Sequence, residues 1–243
     1  MDANRQREEF KFVLLPGIGK KIRNEVSQHL VADRGFTEGY PVLSEYFDSD
    51  ERLNYWQKKL GVKNRRKIRT RVYGDRAGTI PPSAFIEVKH KYAGTTVKRR
   101  VNVNIEQMED FCTHRNLQID DLEQADELVR KEIESLLTEQ DCEPVVQIRY
   151  HRFAFDSGPE GRIRITFDEE PCCRFQRKPL KPGDPNFELP LLEPESSLME
   201  VKTIGAVPYW FRELVGRYRL VPRGFSKYAT SLELYELQLG LSK

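Results

Sequence analysis

Charged and apolar residues alternate along several segments of this chain with the two-residue period of a β-strand. Lys67, Arg69 and Arg71 alternate with Ile68, Thr70 and Val72. Glu87, Lys89 and Lys91 alternate with Ile86 and Val88. Arg162 and Arg164 alternate with Ile163, Ile165 and Phe167, and Glu200 and Lys202 with Met199 and Val201. Each segment therefore has one charged face and one apolar face. Two arrangements satisfy the pattern. The charged faces lie in water on an open sheet, with Lys and Glu paired across strands, or they face one another across a closed sheet and line a cationic tunnel. The alternation alone does not choose between them.

The remaining patterns fill in the elements. Glu8–Leu14 predicts a strand with Glu9 and Lys11 on one face and Phe10, Phe12 and Leu14 on the other. Ile18, Ile22, Val26 and Leu30 have helical spacing, predicting a helix over Ile18–Ala32. A strand over Val42–Phe47 ends at Asp48-Ser49-Asp50, a helix start signal, and a short helix Arg52–Leu60 closes at Gly61. Asn64–Tyr73 is an arginine-rich strand and Gly74–Pro82 a loop. Ala84–Lys91 and Thr95–Val103 read as a hairpin around Tyr92-Ala93-Gly94. Asn104 caps a helix running to Phe111, and Asp120–Thr138 is a longer amphipathic helix. A second hairpin joins Val145–Phe155 to Arg162–Phe167. Arg177–Pro194 carries five prolines and predicts an irregular segment covering an opening of the barrel. Leu198–Thr203 is the last strand, and Val207–Tyr218 and Phe225–Leu239 are terminal helices. No composition break divides the chain, so a single domain over residues 1–243 is expected.

Composition narrows the partners. The 40 Lys and Arg nearly balance the 38 Asp and Glu, leaving a formal charge of +2. That argues against a protein that coats nucleic acid or membranes and leaves room for a local basic site. The acids concentrate in Asp120–Glu139 and Glu188–Glu195. Cys112, Cys142, Cys172 and Cys173 do not combine with the four histidines at zinc-site spacings and read as free thiols. The first residues, MDANRQREEF, show no signal peptide, and no stretch approaches the roughly 20 apolar residues of a bilayer span. A cytoplasmic protein is expected.

A tunnel lined by cations is costly, because like charges repel and lose hydration. Glu9, Glu87 and Glu200 offset part of that cost, and a bound polyanion offsets the rest. Guanidinium groups take phosphate oxygens in pairs and ammonium groups act as point charges, so a mixed lining with sparse carboxylates suits a polyphosphate with a divalent metal. Other candidates have structural readings. His151 lies on the opposite strand face from Arg152, Trp56 and Trp210 sit on helices, and Asp48 reads as a helix cap. Gly19-Lys20 is similar to the end of a phosphate loop, but Leu14 stands where its first glycine belongs and Lys21 where Ser or Thr belongs.

An ordered set of motifs adds to this reading. It comprises Arg7-Glu8-Glu9-Phe10-Lys11-Phe12, Tyr46-Phe47-Asp48-Ser49, Asn64 through Arg71, Phe85-Ile86-Glu87-Val88-Lys89 and Val97-Lys98-Arg99-Arg100, then Tyr150 through Phe155, Arg162-Ile163-Arg164-Ile165, Met199-Glu200-Val201-Lys202 and Phe225-Ser226-Lys227-Tyr228. From Glu8 to about Leu234 the chain resembles the VTC domain, the polyphosphate polymerase module of vacuolar transporter chaperone complexes, within the CYTH-like triphosphate tunnel metalloenzymes. The resemblance implies an α+β fold, a closed antiparallel β-barrel tunnel with a charged interior and helices packed outside. It implies transfer of the γ-phosphoryl group of ATP to a growing inorganic polyphosphate chain, with manganese as the divalent metal and magnesium as the second choice. Motif matching assigns Arg69, Arg71, Arg152, Arg164 and Lys227 to catalysis, and Lys11, Lys89, Lys98 and Ser226 to phosphate binding. Arg100 and Lys202 join the latter because they share its faces. Glu200 is the expected metal carboxylate, with Glu9 beside it. The family's hydrolytic members begin Glu-x-Glu-x-Lys, whereas this chain has Arg7, Glu9 and Lys11, which favours a long anionic chain over two-metal hydrolysis. A tripolyphosphatase or nucleoside triphosphatase of the same fold, and a non-catalytic polyphosphate-binding module, remain as alternatives. No nucleic-acid partner is expected, any translocation of product needs a membrane partner subunit to supply the pore, and oligomeric state stays open.

Overall fold

The computed structural model describes residues 7–74, 83–93, 95–117, 124–158, 161–181 and 184–240. Most of the predicted loop after Gly74, the start of the acidic helix, Gly94 and Pro159-Glu160 lie outside them. The strands are β1 (Arg7–Leu14), β2 (Val31–Ala32), β3 (Tyr40–Asp48), β4 (Arg65–Tyr73), β5 (Ser83–Tyr92), β6 (Thr95–Asn104), β7 (Glu143–Asp156), β8 (Ile163–Arg174), β9 (Leu189–Pro190) and β10 (Ser197–Ile204). The helices are α1 (Ile18–Val26), α2 (Leu53–Lys59), α3 (Ile105–His114), α4 (Gln124–Gln140), α5 (Tyr209–Arg217) and α6 (Lys227–Gln238).

One antiparallel sheet runs β1-β10-β8-β7-β3-β4-β5-β6, with β2 and β9 short additions on β7 and β8. The sheet curls into a half-barrel. Among the described residues no backbone pairing joins β6 to β1, so the closed barrel expected from the sequence is not part of the strand pairing.

Pleating sorts the residues as the alternation requires. Phe12, Leu14, Ile165, Phe167, Met199 and Val201 point to the convex face and pack with Ile22, Val26, Phe211 and Leu214 of α1 and α5. Ile68, Val72, Ile86, Val88, Val101 and Val103 do the same on the other half, under Met108 and Phe111 of α3 and Ile133 and Leu136 of α4. A third cluster lies on the concave face, where α6 lays Tyr228, Ala229 and Leu232 against Val42, Val146, Ile148 and Tyr150 of β3 and β7. The concave face is therefore apolar beneath α6 and charged beside it.

Three departures from the sequence reading have local causes. The predicted first helix stops at Val26, and Val31–Ala32 instead pairs with Asp156 and Phe155 at the end of β7. β8 continues past Phe167 to Arg174, because a register shift near Arg149 and His151 and a positive φ at Glu170 absorb the turn-like Asp168-Glu169-Glu170-Pro171. The proline-rich stretch is irregular, but it straps the convex face. Leu180 and Phe187 bury in the α3–α4 cluster. Gln147 Nε2 donates to Lys178 O at 2.5 Å and Arg174 Nη1 reaches Asp184 at 2.5 Å, so ahead of the short strand β9 side chains supply hydrogen bonds in place of a strand ladder. Gly39 just before β3 must be glycine. Its φ is 70°, and a Cβ there would lie 2.6 Å from Arg152 O.

The convex clusters should carry much of the stability. Ile86→Ala, at a fully buried site, is expected to lower the unfolding free energy by about 2–5 kcal/mol. Leu128→Ala, at a residue 65% exposed, should change it by less than about 0.5 kcal/mol. Urea denaturation of both variants measures the contrast.

Candidate functional site

The concave charged stripe is set by register. Arg69 lies opposite Glu87, and Lys67 opposite Lys89. Lys98 and Arg100 of β6 lie opposite Lys89 and Glu87. On the other half Lys11 faces Glu200 and Glu9 faces Lys202. Lys202 then faces Arg164, and Arg152 faces Asp168. Residues of one parity thus bring nearly every predicted site residue to one face.

The carboxylates are shared between cations. Glu87, 1% exposed, accepts from Arg69 at 2.6 Å and Lys98 at 2.5 Å. Asp168, fully buried, takes both Arg152 Nε and Nη2, at 2.6 and 2.8 Å, and also Lys227 Nζ from the start of α6. Glu200 pairs with Lys202 and, at 3.5 Å, with Lys11, which lies 3.3 Å from Glu9. The Glu87 and Asp168 groups each hold one carboxylate against two cations and keep an excess positive charge. The group of Glu9, Lys11, Glu200 and Lys202 is balanced. Excess positive charge is thus concentrated on β4, β7 and α6, and carboxylate oxygens on β1 and β10.

Two more cations stand on the positive side. Arg71, buried, donates to Ser44 Oγ and Tyr150 Oη, each at 3.0 Å. Lys67 sits over the Tyr228 ring at 5.3 Å. The cross-sheet environment of Lys89 shows how far the curl brings the ends together. It is on β5, next to the β6 edge, yet Glu9, Lys11 and Glu200 on β1 and β10 are among the charges acting on it.

Burial and neighbours shift the titrating groups. Burial pulls the Lys67 ammonium down to about 8, against the raising effect of Asp48, and also lowers Lys89. Burial opposes ionisation of Glu87, but Arg69, Arg71 and Lys98 hold it far below the usual carboxylate range. Burial likewise disfavours the Glu200 carboxylate, and Lys202 and Lys11 more than reverse this. The Tyr46 hydroxyl, pushed up by burial, is drawn down to about 8 by Arg69, Arg71 and Lys227. Arg69 Nη1 donates to that hydroxyl at 3.3 Å.

Arg69, Arg71, Arg152 and Lys227 therefore converge around Tyr46 and Tyr150. Lys11, Glu9, Glu200 and Lys202 form the neighbouring corner, which Lys89 faces from across the curl. Two predicted residues stand apart. Arg164 is held by Asp33 at 2.6 Å and Asp156 at 3.3 Å, and Arg100 lies over the Phe85 ring at 4.3 Å. Ser226 caps α6, its hydroxyl accepting from Ala229 N at 3.4 Å. Asp48 is a helix cap, accepting from Asn54 N at 2.8 Å and Tyr55 N at 3.1 Å. Tyr46, Tyr150 and Asp168 were missed as site residues. Tyr46 and Tyr150 lie inside quoted motifs, and Asp168 continues the parity of Arg164 one step beyond the predicted end of its strand.

For a metal, the available donors are few. Among the described residues no three His, Cys, Asp or Glu side chains cluster as a ligand set. Glu9 and Glu200 offer two carboxylates, and Thr166, opposite Glu200, has a buried hydroxyl without a hydrogen-bond partner among the described residues. Such a set fits an ion that keeps waters and takes substrate phosphate oxygens.

These features define an α+β protein built on a curled antiparallel sheet with a two-signed charged stripe beside its C-terminal helix. A solved protein of this fold, a candidate adenylate cyclase from Bacillus halodurans, superposes with a TM-score of 0.52 and 9% identity over 90% of this chain and 95% of that one. A candidate adenylyl cyclase from Hippeastrum, described as having a dominant triphosphatase activity, superposes with a TM-score of 0.48 and 12% identity over 98% of each chain. No curated protein matches the sequence. The chain belongs to the VTC domain family, whose profile matches residues 6–235.

The shared carboxylates set an acid limit. The value of Asp168 falls from 3.8 to about 2, because Arg152 and Lys227 outweigh its burial. A depressed carboxylate stabilises the fold fully above its unfolded value and loses that contribution as pH falls toward the folded one. Stability should therefore drop between about pH 4 and pH 2, and Asp168→Asn should flatten that part of the profile. The same variant should cost on the order of 3 kcal/mol near neutrality by leaving two cations unpaired. Urea midpoints measured against pH test both outcomes.

Proposed function

We propose that the chain is an ATP-dependent polyphosphate polymerase, working as one domain in the cytoplasm, with the curled sheet enclosing the anion path. Membership of the VTC family supports phosphoryl chemistry on polyphosphate or nucleoside triphosphates. The convergence of Arg69, Arg71, Arg152 and Lys227 on one concave site, with a net positive charge, is the observation that carries the reading.

Phosphoryl transfer needs positioning and charge stabilisation more than covalent catalysis. Arg69 and Arg152 are held by carboxylates on one side, so their guanidinium planes are oriented before substrate arrives. Arg71, resting on two neutral hydroxyls, is free to offer its charge to a transferring phosphoryl group. The acceptor is a terminal phosphate that is already ionised, so the site needs no strong base. Lys11, Lys89 and Lys98 are assigned to the phosphate chain, joined by Lys202, Arg100 and, at the head of α6, Ser226. Arg164 completes the assignment from a more distant position, fixed by Asp33 and Asp156. Glu200 and Glu9 would hold manganese, or magnesium, together with phosphate oxygens, and the ion would neutralise charge on the phosphates. Among the described residues no helix is long and apolar enough to cross a membrane, and any transport of product is assigned to a partner subunit.

Incubating purified protein with ATP and manganese should yield long, acid-labile chains and ADP. Orthophosphate as the sole product would make the protein a triphosphatase, and tight polyphosphate binding without turnover would make it a binding module. Arg69→Ala should cut turnover on the order of 100- to 1000-fold. Lys131→Ala, exposed on α4, should stay within about twofold of the wild type. Equal losses would remove the arginine from the site.

A further inference from the structure

Apolar residues on a surface helix ordinarily turn toward the core. On α2 that role falls to Tyr55, which packs with Tyr228 and Leu232 of α6. Leu53, Trp56 and Leu60 are left on the outside, three and four residues apart and therefore in one line along the helix. Gly61, at φ 70°, then closes α2, with Gly61 N donating to Lys58 O at 3.2 Å and Val62 N to Gln57 O at 2.9 Å. That closure folds Val62 back on the last turn. Leu53, Trp56, Leu60 and Val62 are between 37% and 76% exposed, so burial in the fold does not account for them.

The ridge stands among charges of one sign. From Arg52 to Gly74 the chain contains no Asp or Glu, and Arg52, Lys58, Lys59, Lys63, Arg65 and Arg66 accompany the apolar line. Lys59 is paired with Glu233 at 2.5 Å, whereas among the described residues no carboxylate comes within ion-pair distance of Lys58, Lys63 or Arg66. The β5–β6 turn meets the same edge. His90 Nε2 and Asn64 Oδ1 lie 2.7 Å apart, and Lys91 and the exposed Tyr92 ring follow. The formal charge of +2 for the whole chain conceals this local excess. Leu128 on α4 is as bare as these residues, but it stands among Asp126, Glu127 and Glu132. Exposure alone does not set the α2 ridge apart; its cationic surroundings do.

We propose that this ridge docks the protein on the surface of an anionic lipid bilayer, with Leu53, Trp56 and Leu60 entering the headgroup layer and the surrounding Lys and Arg side chains meeting lipid phosphates. A bilayer accepts protruding side chains without a shaped counterpart. Trp sits at headgroup level, and Lys stems reach past apolar neighbours while their ammonium groups stay in water. Apolar insertion and electrostatic attraction are both present, and stable peripheral binding takes two such signals. The inference stands apart from the polyphosphate reading, since none of these residues is assigned to the concave site.

The test is co-sedimentation of the whole chain with vesicles of phosphatidylcholine alone and of phosphatidylcholine mixed equally with phosphatidylglycerol. The wild type should sediment with the mixed vesicles and stay in solution with the neutral ones, and added salt should weaken the binding. Trp56→Ser combined with Leu60→Ser should weaken it on the order of 10- to 100-fold. Lys63→Gln combined with Arg66→Gln should weaken it about tenfold. Leu128→Ser, the control for an exposed leucine elsewhere, should stay within about twofold of the wild type. In a Trp210→Phe background, the emission of Trp56 should move to shorter wavelength when mixed vesicles are added. A wild type that sediments with neither vesicle overturns lipid docking and turns the ridge over to an acidic protein partner. Undiminished sedimentation of the Trp56/Leu60 variant would show adsorption through cations elsewhere and overturn the proposal as well, as would an unshifted Trp56 emission.

Discussion

The arrangement depends on carboxylates shared between cations on the concave face. Arginines and lysines this close together repel one another, and partial burial removes the water that would screen them. Glu87 joins β4 to β6, Asp168 joins β7 to α6, and Glu200 joins β10 to β1. Each carboxylate lowers repulsion without cancelling the charge of both partners at Glu87 and Asp168. The result is a face that holds together and keeps a net positive charge around Glu87 and Asp168. The β1–β10 corner is electrically balanced, which places the carboxylates of Glu9 and Glu200 beside the cations of the other two groups.

That face can be so polar because the apolar work is done on its reverse side. Two clusters on the convex side, one under α1 and α5 and one under α3 and α4, grip the two halves of the sheet. The third, under α6, fixes the helix that delivers Lys227 to Asp168. Packing therefore sets the curl, and the curl sets which charges meet.

Much of this was legible from alternation alone. The parity of Lys67, Arg69 and Arg71 against Ile68, Thr70 and Val72 gave both the strand and its two faces, and the apolar parity did turn outward. The motif order supplied the family. What the sequence could not show was three-dimensional pairing. Arg164 matches the pattern of Arg152, yet Asp33, more than 100 residues away in the chain, claims its guanidinium. Asp168 was hidden because Asp-Glu-Glu-Pro imitates a turn, and only the register shift in β7 and β8 keeps the strand going. The proline-rich segment was correctly read as irregular but misplaced. Its anchor is a polar network of Gln147, Glu45 and Arg174 that comes from three separate strands and strap residues.

The first strand has a consequence for the birth of the molecule. Among the described residues β1 pairs only with β10, and Lys11 is further tied to the chain at Arg223 N and Phe225 O. A ribosome must therefore deliver the whole run of chain from β1 to β10 before β1 finds its neighbour. Until then Phe10, Phe12 and Leu14 are exposed, and closing so large a loop is entropically slow. Nascent chains of this protein are expected to mature late and to depend on whatever shields the apolar side of β1 in the interval.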